Sequence, residues 1–143
     1  MHPNEIADTL KAIGFMSSPE LDTLSRRWSQ APDSLVKAVL GMLKEFSTLE
    51  GIKFRTYKHD YVSAYGLNRI RRWRECFHIG ILRLDPKLVV YQFGDAKDPQ
   101  NFFTDQQESR PNARHGYLLE GALNRIPYIQ GVLRQSYLNL TQH

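Results

Sequence analysis

Cationic and aromatic side chains are concentrated between residues 53 and 74, and this is the part of the sequence best suited to binding chemistry. Residues 51–74 carry seven basic side chains against the single Asp60, while the whole chain has a net charge of only +4. Charge segregated in this way produces a local positive field that the net charge understates. The candidate binding residues are Lys53, Arg55, Tyr57, Lys58, Arg69, Arg71, Arg72, Trp73 and Arg74.

The residue types of this segment favour a nucleic-acid partner. Lysine and arginine contact phosphates, whereas tyrosine and tryptophan offer rings on which unpaired bases stack. If residues 52–58 form a strand, Lys53, Arg55 and Tyr57 share the face opposite the apolar Ile52 and Phe54. Cations and rings on one sheet face suit RNA or single-stranded nucleic acid better than duplex DNA. The first hypothesis is therefore a small nucleic-acid-binding protein.

The same composition has two other interpretations. Arginine and aromatic residues dominate protein–protein hot spots, so the segment is also suited to an acidic protein surface, as in an inhibitor, an immunity-type factor or an assembly subunit. Alternatively, the charged side chains only keep a sheet edge exposed to solvent, or the arginine stems pack over a buried Trp73. Exposure of Trp73 and convergence of the two halves of the segment would distinguish binding from solvation.

A third hypothesis is a small metal-independent ribonuclease. A histidine would serve as general base while arginines stabilise the charge of the phosphorane-like transition state. The natural participants are Arg55, Tyr57, His59 and Tyr61. No established catalytic motif accompanies them, so a hydrophilic turn explains His59 more simply, and no catalytic residue is assigned. His78 is explained as a strand histidine, and Cys76 as a small buried residue on the same side of that strand.

The sequence predicts no cofactor and no metal. Four acids, Asp95, Asp98, Asp105 and Glu108, lie between residues 94 and 115, but they lack the dense alternation of a calcium loop. Capping and turn roles explain them more economically. Glycine-rich phosphate loops and zinc-protease motifs are absent from the sequence.

The chain reads as a soluble cytoplasmic protein. Its one cysteine, Cys76, cannot form an intrachain disulfide, which suits a reducing compartment. No run approaches the roughly 18 apolar residues of a membrane span, and the N-terminus lacks the features of a signal peptide. We therefore expect no membrane partner; the oligomeric state stays open.

Three helices are predicted over residues 3–50. Apolar residues recur at helical spacing in each, and Gly14 is a plausible stop for the first. Ser18 followed by Pro19 is typical of a helix start. The third helix follows Pro32 and has the widest apolar stripe, so we expect it to be central.

The period changes to two from Ile52, which predicts a sheet over residues 52–94. Four segments rich in β-formers are separated by turn residues: IKFRTYK, YVSAY, RECFHIGIL and LVVYQF. Residues 95–115 are predicted to be a long polar loop. Residues 116–140 are helical in pattern, with Pro127 splitting or kinking the helix. The prediction is a single α+β domain, 1–143, in which three helices precede an antiparallel sheet of about four strands and a C-terminal helix or helix pair.

Overall fold

The computed structural model describes residues 1–84, 86–100, 102–103, 114–118 and 120–142, with the backbone alone at 114–118 and 120. The predicted α+β class is confirmed: three helices precede an antiparallel sheet, and a helix follows it. The helices are α1 (Pro3–Ala12), α2 (Pro19–Trp28), α3 (Asp33–Phe46) and α4 (Ile126–Thr141). The strands are β1 (Lys53–Tyr57), β2 (Tyr61–Leu67), β3 (Trp73–Ile81), β4 (Leu88–Gln92) and β5 (Arg114–Leu118).

The predicted helix ends agree with the structure, and interactions at each end explain them. The Ser18 side chain accepts a hydrogen bond from the Leu21 amide at 3.1 Å, and Pro19 occupies the first turn of α2. Gly14 follows α1 with φ +112°, a backbone conformation that residues with a Cβ rarely adopt. Pro127 lies in the first turn of α4, where its missing amide hydrogen has no helical partner to lose. A 3₁₀ helix (Glu120–Asn124) precedes it, so the C-terminal pattern is split near this proline as predicted.

The five strands of the described sheet follow chain order, β1-β2-β3-β4-β5, and each pairs antiparallel with its neighbour. The four predicted strands are β1 to β4. β5 was not predicted. It corrects the predicted boundaries, because it occupies the end of the predicted loop 95–115 and the start of the predicted helices at 116. Residues 101, 104–113 and 119 lie outside the described residues, as do Asp85, Asp105 and Glu108.

All four helices pack on one side of the sheet, which we call the helix face. Its strand residues include Val62, Ala64, Phe77 and Ile79, each fully buried in one core cluster with the helices. Phe77 packs against Phe46 of α3 with ring centroids 4.8 Å apart. As predicted, α3 is central, since seven of its residues are buried.

The opposite side, the polar face, carries charged, hydroxylated and aromatic side chains. Strand registers place Lys53 opposite Tyr65 and Tyr57 opposite Tyr61 on β1 and β2. They also place His78 opposite Tyr91 on β3 and β4. Every candidate binding residue lies on this face, at its ends or in its turns, except one.

Candidate nucleic-acid interface

β1 places three of the predicted residues on the polar face. Lys53, Arg55 and Tyr57 alternate with Phe54 and Thr56, as the two-residue period requires. Phe54 faces the other way and stacks on Phe15 with ring centroids 5.9 Å apart. The polar orientation of the β1 cations is therefore fixed by burial of the intervening phenylalanine.

Trp73 brings the second half of the basic segment onto the same surface. Its side chain is 48% exposed, so the interpretation in which it is buried under arginine stems is wrong. The Lys53 ammonium lies 5.5 Å from the centre of the Trp73 ring, within the range of a cation–π contact. Lys53 and Trp73, which are 20 positions apart in the sequence, thus contact each other across the sheet.

Lys53 and Trp73 line a shallow cleft together with two neighbouring side chains. It is lined by Lys53, Arg55, Tyr65 and Trp73 and has a volume of about 210 Å³. The Arg55 guanidinium lies 5.6 Å from the centre of the Tyr65 ring. Two cations and two aromatic rings therefore line one concavity, and these are the residue types that can contact phosphates and stack on bases.

The β2–β3 loop presents the arginine cluster beside this cleft. The Asn68 side-chain oxygen accepts hydrogen bonds from the Ile70 and Arg72 amides, at 3.1 and 2.9 Å. The Asn68 amide also donates to the Arg72 carbonyl. This local network holds Arg71 at φ +61° and leaves Arg69, Arg71 and Arg72 exposed, with Ile70 69% exposed at the tip.

Three of the predicted residues, Arg74, Lys58 and Tyr57, lie away from both the cleft and the loop beside it. Arg74 is opposite Gly66, where an added Cβ would collide with Tyr137 of α4, so Arg74 lies on the helix face although it is exposed. Lys58 lies in the β1–β2 turn, at the other end of β1, with its ammonium 5.2 Å from the Tyr57 ring centre. The basic–aromatic surface that the structure assembles therefore consists of Lys53, Arg55, Tyr57, Tyr65, Trp73 and the loop arginines Arg69, Arg71 and Arg72.

The β1–β2 turn is anchored to α2. Arg27 donates to both carboxylate oxygens of Asp60 at 3.1 Å, and the Trp28 indole donates to the Asp60 carbonyl at 3.0 Å. Lys58 and His59 have φ values of +50° and +65° in this turn. His59 is exposed, whereas Arg55 points toward Tyr65, away from the turn. Arg55 and His59 are thus not directed at a common point.

A network of interacting polar side chains on this face was not predicted from the sequence. The Tyr65 hydroxyl donates to Glu75 Oε2 at 3.2 Å, and Glu75 Oε1 contacts His78 Nε2. Burial and the adjacent Glu75 carboxylate raise the pKa of Tyr65, so its hydroxyl stays protonated at neutral pH. We name this chain the Tyr65–Glu75–His78 network.

A β-bulge explains why this network escaped prediction. Ala64 is opposite Phe77 whereas Tyr65 is opposite Glu75, so Cys76 is one extra residue in β3. Without it, residues 75 and 78 would fall on opposite faces of a regular strand. The expectation that Cys76 and His78 share a side is consequently wrong, because Cys76 belongs to the core under the helices.

His78 is enclosed by aromatic rings. It is 2% exposed, with the ring centres of Tyr57, Phe93 and Tyr91 at 4.5, 5.0 and 5.9 Å. This packing fixes the imidazole and directs its Nε2 toward Glu75. The side chain of Glu75 is 32% exposed, while its Oε1 atom is buried against His78.

Cys76 is buried and shows no sign of activation. Burial raises the pKa of its thiol to about 12, far from the depressed values of reactive cysteines. The sequence-based interpretation of Cys76 as a small buried residue is therefore confirmed.

Asp98 has the capping role predicted for the loop acids. Its two carboxylate oxygens accept hydrogen bonds from the Phe102 and Phe103 amides, at 3.1 and 2.9 Å, and the Tyr128 hydroxyl contacts the same group. Within the described ranges, no group of three acidic, histidine or cysteine residues is arranged to hold a metal ion.

Similarity to known proteins does not identify the chain. No protein-family model, curated protein or solved structure matches it. No helix of the described residues combines the length and apolar character needed to cross a bilayer. The function of the chain is therefore inferred from the geometry of the polar face alone.

Proposed function

We propose that this protein binds single-stranded nucleic acid, with RNA favoured, through the basic–aromatic surface. The observation that carries the proposal is the Lys53 ammonium lying 5.5 Å from the half-exposed ring of Trp73. A stacking platform and a phosphate-binding charge are thereby placed side by side. Each stacked base contributes about 1–3 kcal/mol and requires no particular sequence.

The position of Trp73 argues against a purely protective role for the charges. β1 is an edge strand, and lysine or arginine on an edge discourages pairing with other chains. Trp73, however, begins β3, two strands in from that edge. Edge protection does not explain an exposed tryptophan with cations around it, whereas a ligand that stacks does.

The spacing of the cations favours an unpaired strand over a duplex. In a duplex the bases are stacked on one another and are not available to an aromatic side chain. The cleft pairs Lys53 with Trp73 and Arg55 with Tyr65, with each charge 5.5–5.6 Å from the centre of its ring. We place this binding activity in the cytoplasm, in keeping with the single, reduced Cys76.

Tryptophan fluorescence provides a direct test. The chain has two tryptophans, and Trp28 is 1% exposed, so quenching on titration with a 12-nucleotide RNA reports on Trp73. We expect quenching by RNA and single-stranded DNA, weaker quenching by duplex DNA, and a linear fall of log K with log salt. Replacement of Lys53 and Arg55 by alanine should reduce the magnitude of that slope by about 0.7 for each phosphate that is no longer neutralised.

Matched variants on the helices serve as the control. Lys37→Ala with Lys44→Ala removes two exposed charges from α3 and leaves the polar face intact. This pair should bind RNA nearly as tightly as the unmodified protein. Absence of binding at low salt, or equal losses in both double variants, would reject the proposal.

An acidic protein partner is the second candidate, and Ile70 is the observation that favours it. A branched aliphatic side chain 69% exposed between Arg69 and Arg71 resembles an anchor for an apolar pocket with an acidic rim. Purification from the native host separates the candidates: a stoichiometric protein without nucleic-acid absorbance, lost in Ile70→Ser, would favour the protein partner. RNA binding should be unaffected by Ile70→Ser.

A further inference from the structure

Glu75 is an acidic side chain on a surface otherwise suited to a polyanion. It is two residues beyond Trp73 on β3, and its partner Tyr65 lines the same cleft as Lys53 and Arg55. A carboxylate next to phosphates opposes their binding, so Glu75 weakens the attraction that the surrounding cations create. A ligand that donates a hydrogen bond to this carboxylate would offset that repulsion.

The fold holds Glu75 in this place through several contacts. The Cys76 carbonyl in the bulge accepts hydrogen bonds from the Phe93 amide at 3.0 Å and from the Ser136 hydroxyl of α4 at 2.8 Å. These bonds fix the extra residue that turns Glu75 and His78 to one face. β-Bulges are frequent where a strand must redirect a side chain at an active site.

The two partners of Glu75 orient its carboxylate. His78 is buried among aromatic rings and cannot itself reach a ligand, but its Nε2 contacts Oε1. The protonated hydroxyl of Tyr65 donates to Oε2. Oε1 is thus buried against His78 and Oε2 accepts from Tyr65, so Oε2, which as a carboxylate oxygen has a second lone pair, is the atom that would face a ligand, and about a third of the Glu75 side chain is exposed. Such preorganisation of an accessible base is what proton abstraction requires.

The hydrogen that distinguishes RNA from DNA is that of the 2′-hydroxyl. We propose, on the basis of the nucleic-acid binding inferred above, that Glu75 is a general base that activates this hydroxyl and that the protein cleaves single-stranded RNA. Arg55, which flanks Tyr65, stabilises the charge that develops on the phosphorus oxygens. Glu75 and Arg55 are the catalytic residues; Tyr65 and His78 are positioning residues.

The reaction is a transesterification. Glu75 accepts the 2′-hydroxyl proton as the 2′-oxygen forms a bond to phosphorus, and the bond from phosphorus to the 5′-oxygen breaks. The leaving 5′-oxygen takes a proton from solvent water, and Glu75 later returns its proton to solvent. The products are a 2′,3′-cyclic phosphate and a 5′-hydroxyl end. This assignment differs from the ribonuclease hypothesis drawn from the sequence, in which His59 would be the general base.

The experiment uses the whole chain and two 12-nucleotide substrates of the same sequence, one RNA and one DNA. Binding is measured by Trp73 quenching, and cleavage by gel separation with mass detection of the cyclic phosphate. We expect both substrates to bind and only RNA to be cleaved. Glu75→Gln should lower the cleavage rate by about 10²–10⁴-fold, the usual contribution of a general base, with RNA binding equal or tighter.

Three further variants test the assignment. Glu45→Gln, an exposed acid of α3, should cleave like the unmodified protein when purified in parallel, which controls for contaminating nucleases. Tyr65→Phe should lower kcat and leave KM unchanged, because the ring remains while the hydrogen bond to Glu75 is lost. Arg55→Ala, a change at an exposed side chain, should lower cleavage even if Glu75→Gln fails to fold.

The outcomes separate this inference from the proposed function. RNA binding without cleavage, or equal cleavage by Glu75→Gln and the unmodified protein, overturns the catalytic role and leaves nucleic-acid binding standing. Absence of binding to either substrate overturns both. Cleavage that is lost in Glu75→Gln while binding persists supports both.

Discussion

The two faces of the sheet are built from the same strands but differ in how far their side chains are buried and in the kinds of side chain they carry. On the helix face, Val62, Ala64 and Phe77 are fully buried and contact the helices. On the polar face, Tyr65 and Glu75 hold hydrogen-bonding groups in fixed positions at partial exposure. Alternation along a strand allows one segment to supply both surfaces.

This contrast separates the residues that stabilise the fold from the residues of the proposed binding surface. Burial of apolar side chains drives folding, so the helix face dominates the free energy of unfolding. The exposed cations of the polar face contribute little to that free energy, because their charges are solvated. Substitutions on the helix face should therefore change unfolding measurements, whereas substitutions on the polar face should change binding measurements.

The strongest contrast is between Phe77 and Trp73, two aromatic residues of β3. Phe77→Ala removes a fully buried ring that packs on Phe46 and should cost about 3–5 kcal/mol of unfolding free energy. Trp73→Ala should cost less than about 1 kcal/mol of that free energy but weaken RNA binding by about 1–3 kcal/mol. Urea unfolding and RNA titration of both variants measure the contrast. Similar losses of stability would show that the two faces do not differ as described.

The next effect comes from the close approach of Gly94, just after β4, to Ser136 of α4. A Cβ at Gly94 would lie 2.1 Å from the Ser136 carbonyl oxygen, so Gly94→Ala must displace backbone. We expect a loss of roughly 2–3 kcal/mol in urea unfolding, as for an overpacked core. Gly131→Ala on α4 is the control, since a Cβ there meets no atom within 4 Å and alanine favours the helix. Equal stability of the two variants would contradict this geometry.

Alkaline pH should lower the free energy of unfolding through a buried tyrosine of α4. Burial raises the pKa of Tyr137 to about 12, above the ordinary tyrosine value of about 10. Its contribution to stability is therefore complete below pH 10 and is lost as the pH rises toward 12, by an amount on the order of 1–2 kcal/mol. Urea unfolding at pH 8 and pH 11 should show a smaller fall for Tyr137→Phe than for the unmodified protein. Parallel falls would exclude Tyr137 as a source of this pH dependence.

The smallest effect concerns the loop that displays the arginines. Asn68→Ala removes the oxygen that accepts hydrogen bonds from the Ile70 and Arg72 amides, and should cost about 1 kcal/mol. Asn68→Asp keeps an acceptor in place and should cost less. Thermal unfolding and RNA titration of the two variants check this order. A larger loss for Asn68→Asp would mean that charge, rather than the acceptor, governs the loop.

The sequence predicts the fold class and much of the helix face because apolar periodicity is a local signal. It also predicts that Lys53, Arg55 and Tyr57 share a face, since the phenylalanine between them must be buried. The meeting of Lys53 with Trp73 depends on strand pairing, which the alternation pattern does not specify.

The Tyr65–Glu75–His78 network could not be predicted for a different reason. A period of two counted back from Phe77 places Glu75 on the helix face, and only the extra residue at Cys76 reverses that assignment. No local propensity marks the bulge, because the bonds that hold it come from Ser136 and Phe93. β5 was missed similarly: RHGYL has no clear alternation, and its strand conformation arises from pairing with β4.

The strict chain order of the sheet has a consequence for how the protein folds. Each strand pairs with its neighbour in sequence, and β1 to β4 form local hairpins with short connections, 58–60, 68–72 and 82–87, which favour fast folding; the connection 93–113 before β5 is longer. The contacts of α4 join residues far apart in the sequence: Ser136 and Cys76 are 60 positions apart, and Tyr137 and Glu50 are 87 positions apart. We therefore expect the hairpins to form while α4 is still unattached, and the bulge to gain its fixed geometry only when that last helix docks.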